Sequence, residues 1–204
     1  MTSVAIVDYG AGNIRSAAKA LEAAGAARVI VTSDPDEIAA ADRIVLPGVG
    51  AFAQCVAALR GTPGVVDALE EAVLERGKPF LGICVGMQLL ATTGHEHGEH
   101  AGLGWIDGDV VRLEPGVDGL KVPHIGWNDV AAGGERPGLP VLGSAYFVHS
   151  YHFAAADPAS VLATTDYGQE IAAVIARDNI TGVQFHPEKS QTYGLDFLRG
   201  WLST

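Results

Sequence analysis

The chain has 204 residues, 48% of them hydrophobic and 18% charged, which is enough to bury a full core as one domain spanning residues 1–204. A net charge of −11 argues against nucleic-acid binding, which calls for a basic face. The two cysteines, Cys55 and Cys84, have no paired spacing, no segment reaches membrane-span length, and the apolar start is too short for a signal peptide, so the expected address is the cytoplasm.

The first half alternates strands and helices. Val4–Asp8 reads as a buried strand. Asn13–Ala24 reads as a helix with Ile14, Ala17, Ala18 and Leu21 on one stripe, closed by Gly25. Arg28–Thr32 is the next strand. Asp34, Pro35 and Glu37 announce a second helix through a cap, a first-turn proline and a capping box. Arg43–Leu46 is a third strand, followed by the turn Pro47-Gly48-Val49-Gly50 and a helix from Phe52. Val65, Val66, Leu69 and Val73 line another helix that ends at Gly77, and Phe80–Ile83 is a fourth strand. This order implies a parallel sheet covered on both faces, with any site beyond the carboxyl ends of its strands.

The second half carries shorter strands: Val110–Leu113, a short one at Val122, Tyr146–Phe153, Val161–Thr165, Ile171–Arg177 and Ile180–Phe185, then a last helix Gln191–Leu202. They suggest an antiparallel extension of the sheet. Val122-Pro123-His124-Ile125-Gly126-Trp127-Asn128 reads as a segment bounded by proline and glycine, and both it and the aromatic strand from Tyr146 read as ordinary β packing or as a partner interface.

Two segments carry chemistry. In Gly82-Ile83-Cys84-Val85-Gly86 a cysteine ends a strand and opens a helix, with glycines two residues to either side. A turn this tight strains its central residue, as in the G-x-S-x-G elbow, and a helix N-terminus there favours a thiolate nucleophile. Alone, such a cysteine would more often be packing. A hundred residues on, His186-Pro187-Glu188 ends a strand. Two residues apart on an extended segment, His186 and Glu188 can act on one face, the carboxylate fixing the imidazole as a base. Cys84, His186 and Glu188 then form a nucleophile, base and orienter set. Pro47–Gly50 is either a simple βα connection or a source of oxyanion donors beside Val85 N–H. Gly10-Ala11-Gly12 fails as a dinucleotide fingerprint because Arg15 stands where the third glycine belongs. His95-Glu96-His97-Gly98-Glu99-His100 reads as a solvated loop rather than a metal site. No metal and no cofactor are expected.

Together these segments make the chain resemble class I (triad-type) glutamine amidotransferases. Asp8–Asn13, Pro47–Phe52, Gly86-Met87-Gln88, Pro123–Asn128, Tyr146–Tyr151 and Gln184–Ser190 are similar to glutaminase subunits of imidazole glycerol phosphate synthases. The resemblance implies a three-layer α/β sandwich with a mostly parallel central sheet and an antiparallel extension. It implies that Cys84 attacks the side-chain amide of L-glutamine, that His186 moves the protons and that Glu188 holds His186. Val85 N–H and the Val49–Gly50 peptide would form the oxyanion hole. Gly48, Gln88, Glu96, His149, Ser150 and Tyr151 would hold glutamine. Asn13, Trp127, Asn128, Tyr146 and Lys189 would lie at or near the face of a (β/α)₈-barrel cyclase subunit that receives the ammonia, and the free chain would be a poor glutaminase until that partner reorients the oxyanion loop. The competing expectations are the glutaminase subunit of another amidotransferase, a stand-alone γ-glutamyl hydrolase, and a scaffold with a relict cysteine.

Overall fold

Apolar β-branched runs set the centre of the fold. The computed structural model describes residues 2–116, 119–134 and 138–204. β1 (Ser3–Val7) is fully buried from Val4 to Val7. α1 (Ile14–Ala24) follows and stops at Gly25, whose φ of 109° is open to glycine. β2 (Arg28–Thr32) leads into α2 (Pro35–Ala40). Asp34 caps α2 by accepting from Asp36 N at 2.9 Å, but no full capping box forms: Asp34 N–H donates to Thr32 Oγ1 at 2.9 Å, the place a Glu37 bond would take.

β3 (Arg43–Gly48) runs two residues further than expected, and α3 (Phe52–Gly61) starts at Phe52. α4 (Val65–Glu70) continues through residues 71–75 as a π-type turn. β4 (Phe80–Cys84) then carries the cysteine as its last residue, and α5 (Val85–Gln88) follows without a linker. α5 lasts only one turn. It builds no long macrodipole, so its contribution at Cys84 is reduced to the free N–H groups of its first turn.

The remaining strands are β5 (Thr93–Gly94), β6 (His100–Ala101), β7 (Gly108–Arg112), β8 (His124–Ala132), β9 (Gly143–His149), β10 (Tyr151–Ala155), β11 (Val161–Asp166), β12 (Glu170–Arg177) and β13 (Ile180–Val183), with α6 (Gln191–Ser203) last. Among the described residues the large sheet has the order β2-β1-β3-β4-β13-β12-β11-β8-β9. The pairings from β2 through β13 are parallel, and those from β13 to β9 are antiparallel. Helix α1 packs on α6, and α2 and α3 pack on α4, giving a three-layer α/β sandwich with the expected antiparallel extension.

Val122 lies in a bend before β8 rather than in a short strand of its own. Pro123–Asn128 is no loop: from His124 it is the start of β8, paired along its length with β9. Tyr146–Phe153 is not one strand. The chain leaves the large sheet after His149, turns at Ser150, and joins a second sheet of order β10-β7-β5-β6 as β10. That break places His149, Ser150 and Tyr151 at the mouth of the pocket described below. The Ile180–Phe185 strand stops at Val183.

Candidate active site

β4 lies between β3 and β13, with Gly48 opposite Cys84 and Gly182 opposite Gly82. Cys84 therefore emerges at the carboxyl edge of the parallel half. Its backbone sits at φ 56°, ψ −112°, outside the regions an L-residue prefers, a strain of about 1–3 kcal/mol held by its surroundings. The glycines on either side are required by contact. A Cβ at Gly86 would stand 1.9 Å from Leu46 O, and one at Gly82 would stand 2.6 Å from Gly86 O. Strand and helix are thus pressed together backbone to backbone, which drives the cysteine into its strained turn.

Cys84 opens on a cavity of about 290 Å³ lined by Val49, Gly50, Val85, Gln88, Glu96, Pro123, Val148, His149, Ser150, Tyr151, His186 and Lys189. His186 lies on this wall with Nδ1 2.8 Å from Glu188 Oε1, both side chains 2% exposed. The two meet by a route other than strand alternation: residues Pro187–Lys189 form a 3₁₀ turn that folds Glu188 back under the ring. Ser190 Oγ donates to His186 O at 2.7 Å and His186 N donates to Tyr146 O at 3.0 Å, fixing the backbone on which the ring stands. Among the described residues Nε2 of His186 is buried without a well-formed hydrogen bond, so that edge is available to the cavity. Burial alone would lower the ring. Interaction with Cys84 and the hydrogen bond and charge of Glu188 outweigh it and raise His186 to about 10. An imidazolium beside the sulfur favours the thiolate and can give its proton to a leaving group.

The turn after β3 is held from below. Tyr9 Oη donates to Pro47 O at 2.7 Å, and Cys55 Sγ donates to Val49 O at 3.3 Å. Burial pushes both the Tyr9 hydroxyl and the Cys55 thiol upward, so both keep their protons as donors. Val49 O thus points at buried Cys55. The N–H of the same trans peptide, on Gly50, points the opposite way. Gly50 has φ 97°, which glycine alone adopts without strain.

The residues expected around glutamine converge, with one exception. Gln88, Glu96, His149, Ser150 and Tyr151 all line the cavity. Glu96 reaches it from the β5–β6 turn, its Oε2 accepting from Phe52 N at 2.7 Å. Gly48 is buried beneath the wall instead: a Cβ there would meet Gly86 N at 2.6 Å and Val85 Cβ at 2.9 Å. Of the residues expected at a partner face, Trp127 is 47% exposed and edge-on to Tyr146, and Lys189 Nζ lies 5.7 Å from the Tyr146 ring centroid. Asn13 lies beside Glu188, with Nδ2 3.4 Å from Glu188 Oε1. Asn128 donates through Nδ2 to Asp166 O at 2.8 Å. Gln184 was not anticipated. Fully buried, its Nε2 lies 3.8 Å from Cys84 Sγ. Its place two residues before His186 is the only local signal, and the backbone between them bends after β13 ends at Val183. In the 95–100 stretch, His95 Nε2 lies 3.4 Å from Asp109 Oδ2, and among the described residues no group of three or more His, Cys, Asp or Glu could hold a metal ion. Among the described residues no helix is long and apolar enough to cross a membrane.

Residues 5–200 match the family model for glutamine amidotransferase class-I. The chain is 57% identical over 203 residues to the imidazole glycerol phosphate synthase subunit HisH of Zymomonas mobilis subsp. mobilis, covering 98% of this chain and 95% of that one. It is 53% identical over 206 residues to the subunit of the same name from Ruegeria pomeroyi, covering 98% and 97%. Among solved structures, one described as a glutamine amidotransferase superposes with a TM-score of 0.75 at 19% identity, covering 98% of this chain and 97% of that one. PurLQS from Thermotoga maritima gives 0.73 at 20%, covering 99% and 96%. At those identities the structures speak to the fold. The sequence match runs through the cysteine elbow and the histidine turn alike, and the chain belongs to the class-I glutamine amidotransferase family.

Proposed function

We propose that this chain works as one domain and is the glutaminase subunit of an imidazole glycerol phosphate synthase. It cleaves L-glutamine to L-glutamate and ammonia, and a (β/α)₈-barrel cyclase partner consumes the ammonia. The observation that carries the chemistry is a strained cysteine sharing one cavity with a buried, carboxylate-held histidine. Near-full-length identity of 50–57% to HisH subunits supports this assignment over another amidotransferase or a free-standing hydrolase.

The Cys84 thiolate adds to the carbonyl carbon of the glutamine side-chain amide. The electron pair of the C=O moves to oxygen, where Val85 N–H and the Val49–Gly50 segment stabilise it. The oxyanion collapses, the C–N bond breaks, and His186 gives its proton to the departing nitrogen as ammonia leaves. A γ-glutamyl thioester remains on Cys84. His186, now neutral, takes a proton from water as the water oxygen adds to the thioester carbon, and the C–S bond breaks to release glutamate. Glu188 holds the ring and offsets its charge. Groups near Gln88, Glu96 and the His149-Ser150-Tyr151 segment hold glutamine in the cavity. Trp127, Tyr146 and Lys189, clustered beside the cavity, face the cyclase, and a closed junction there keeps ammonia from becoming ammonium in bulk water.

The direct test is Cys84→Ser in the assembled synthase. Glutamine-dependent synthesis is lost while ammonia-dependent synthesis persists. Retained glutamine use would overturn the reading. The free chain turns glutamine over slowly, and the ligand-bound cyclase accelerates it through the glycine-flanked Pro47–Gly50 turn. Equal rates with and without the partner would refute that coupling.

A further inference from the structure

Behind the cavity a run of polar side chains connects the β8–β9 edge to the sulfur, and its donor directions are all determined. Tyr151 O is a carbonyl and can only accept. Two donors converge on it: His149 Nδ1 at 2.9 Å and Gln88 Nε2 at 2.9 Å. His149 therefore carries its proton on Nδ1. Burial lowers this ring to about 3, so it is neutral and its Nε2 accepts. The atom facing that acceptor is His124 Nδ1, at 3.0 Å, which must be the donor. Burial lowers His124 to about 4, so its Nε2 is the acceptor for Asn128 Nδ2 at 3.3 Å. The orientation of Asn128 is fixed in turn, since Nδ2 also donates to Asp166 O and Oδ1 accepts from Asp129 N at 2.8 Å.

The other branch reaches the nucleophile. Gln88 must present its NH₂ group to Tyr151 O. The same NH₂ then stands 3.1 Å from Gln184, whose facing atom must be the acceptor Oε1. That leaves the Gln184 NH₂ group turned toward Cys84 Sγ, at 3.8 Å, a long N–H···S contact. Gln184 is 0% exposed and Gln88 3%, so water does not compete for these bonds.

We propose that Gln184 is a further catalytic residue: its side-chain amide donates to the Cys84 sulfur, and Gln88, anchored on Tyr151 O beside the His149–His124–Asn128 chain, locks it in the donating orientation. A donor aimed at sulfur stabilises the attacking thiolate and the same thiolate when it leaves the thioester. An amide free to rotate would present its oxygen to the sulfur half the time and repel the anion. The anchored Gln88 removes that state.

The proposal rests on Cys84 as the nucleophile but can be read without glutamine. Full-length chain is treated with iodoacetamide, and alkylation of the Cys84 peptide is followed by mass spectrometry across a pH range. In Gln184→Leu, alkylation at pH 7 slows about tenfold, the typical effect of one hydrogen bond to a charged group. Gln184→Glu keeps the shape and places a carboxylate against the sulfur, so it slows further; it carries the test if the leucine variant fails to fold. Gln88→Leu frees the amide and gives a smaller loss, about threefold by the same scale. In the assembled synthase Gln184→Glu lowers glutaminase kcat with little change in KM, and ammonia-dependent synthesis is retained. Parent-like alkylation in Gln184→Glu would overturn the donor role, and parent-like alkylation in Gln88→Leu would overturn the lock. A parent chain whose alkylation depends on Gln184 but which never turns over glutamine would sink the glutaminase reading and leave this one standing.

Discussion

Replacing Glu188 with glutamine keeps the outline of the side chain and removes its charge. Two donors meet Glu188 Oε1, His186 Nδ1 at 2.8 Å and Asn13 Nδ2 at 3.4 Å, so a new amide must put its oxygen there. Its NH₂ group then falls at the position of Oε2, which is buried and unpartnered among the described residues. The His186 bond survives as a neutral one. A bond to a charged group stabilises by about 1.5–3 kcal/mol and a neutral one by about 0.5–1.5. The protonated ring therefore loses roughly 1–2 kcal/mol of support, and the stranded NH₂ group loosens its position further. Proton transfer through His186 slows on the order of 5- to 30-fold, with KM little changed. His186, raised to about 10 with Glu188 in place, loses the carboxylate charge that helps lift it against burial. It is protonated below its pKa, so the alkaline limb of the glutaminase profile moves to lower pH. The assay is steady-state glutamate release by the assembled synthase from pH 6 to 10.5. A kcat within twofold of the parent together with an unmoved alkaline limb would refute the role given to this carboxylate.

Three further outcomes follow from particular contacts. Gly86→Ala drives a Cβ to within 1.9 Å of Leu46 O, a backbone atom that cannot swing aside, and destabilises by about 3 kcal/mol or more; a melting temperature within 2 °C of the parent would contradict it. Trp127→Ala removes a side chain that is 47% exposed and leaves the free chain's melting temperature unchanged, while weakening the cyclase complex about 30-fold by titration calorimetry; unchanged affinity would remove Trp127 from the interface. His149, lowered to about 3, and His124, lowered to about 4, are neutral when folded, whereas the unfolded chain takes up protons near pH 6.5. Stability is therefore highest with respect to these rings above pH 6.5 and falls as the pH drops toward 4. Chemical denaturation midpoints that stay flat for these rings, judged by a His124→Asn, His149→Gln comparison across that window, would contradict the buried neutral pair.

The parallel half was legible because each of its signals is local. Buried apolar runs marked β1, β3 and β4, Asp34-Pro35 and Gly25 marked helix ends, and the glycines around Cys84 reported a close approach that the backbone contacts at Leu46 and Gly86 account for. The antiparallel half was harder, since its hydropathy is inverted. In β8 the polar His124 is 2% exposed while Ile125 is 59% and Trp127 47% exposed, so alternation points the wrong way for a core strand. Apolar residues there face outward, toward the proposed partner. The break at Ser150 between two sheets leaves no mark in an aromatic run that reads as continuous. His186 and Glu188 were rightly paired for the wrong geometric reason, the 3₁₀ turn at Pro187 doing what extended spacing was expected to do. Gln184 went unseen because an amide next to a sulfur has no sequence signature beyond its place two residues before the histidine.

The central chemical step is a covalent bond between Cys84 and the side-chain carbonyl carbon of glutamine. Acid quenching of the assembled synthase during turnover, followed by peptide mass spectrometry, reads that bond directly. A glutamyl adduct confined to the Cys84 peptide, building up when His186 is replaced by asparagine only as far as ammonia release persists and absent in Cys84→Ser, is the predicted result. Steady turnover with no adduct on Cys84, or glutamine hydrolysis that continues in Cys84→Ser, would contradict it.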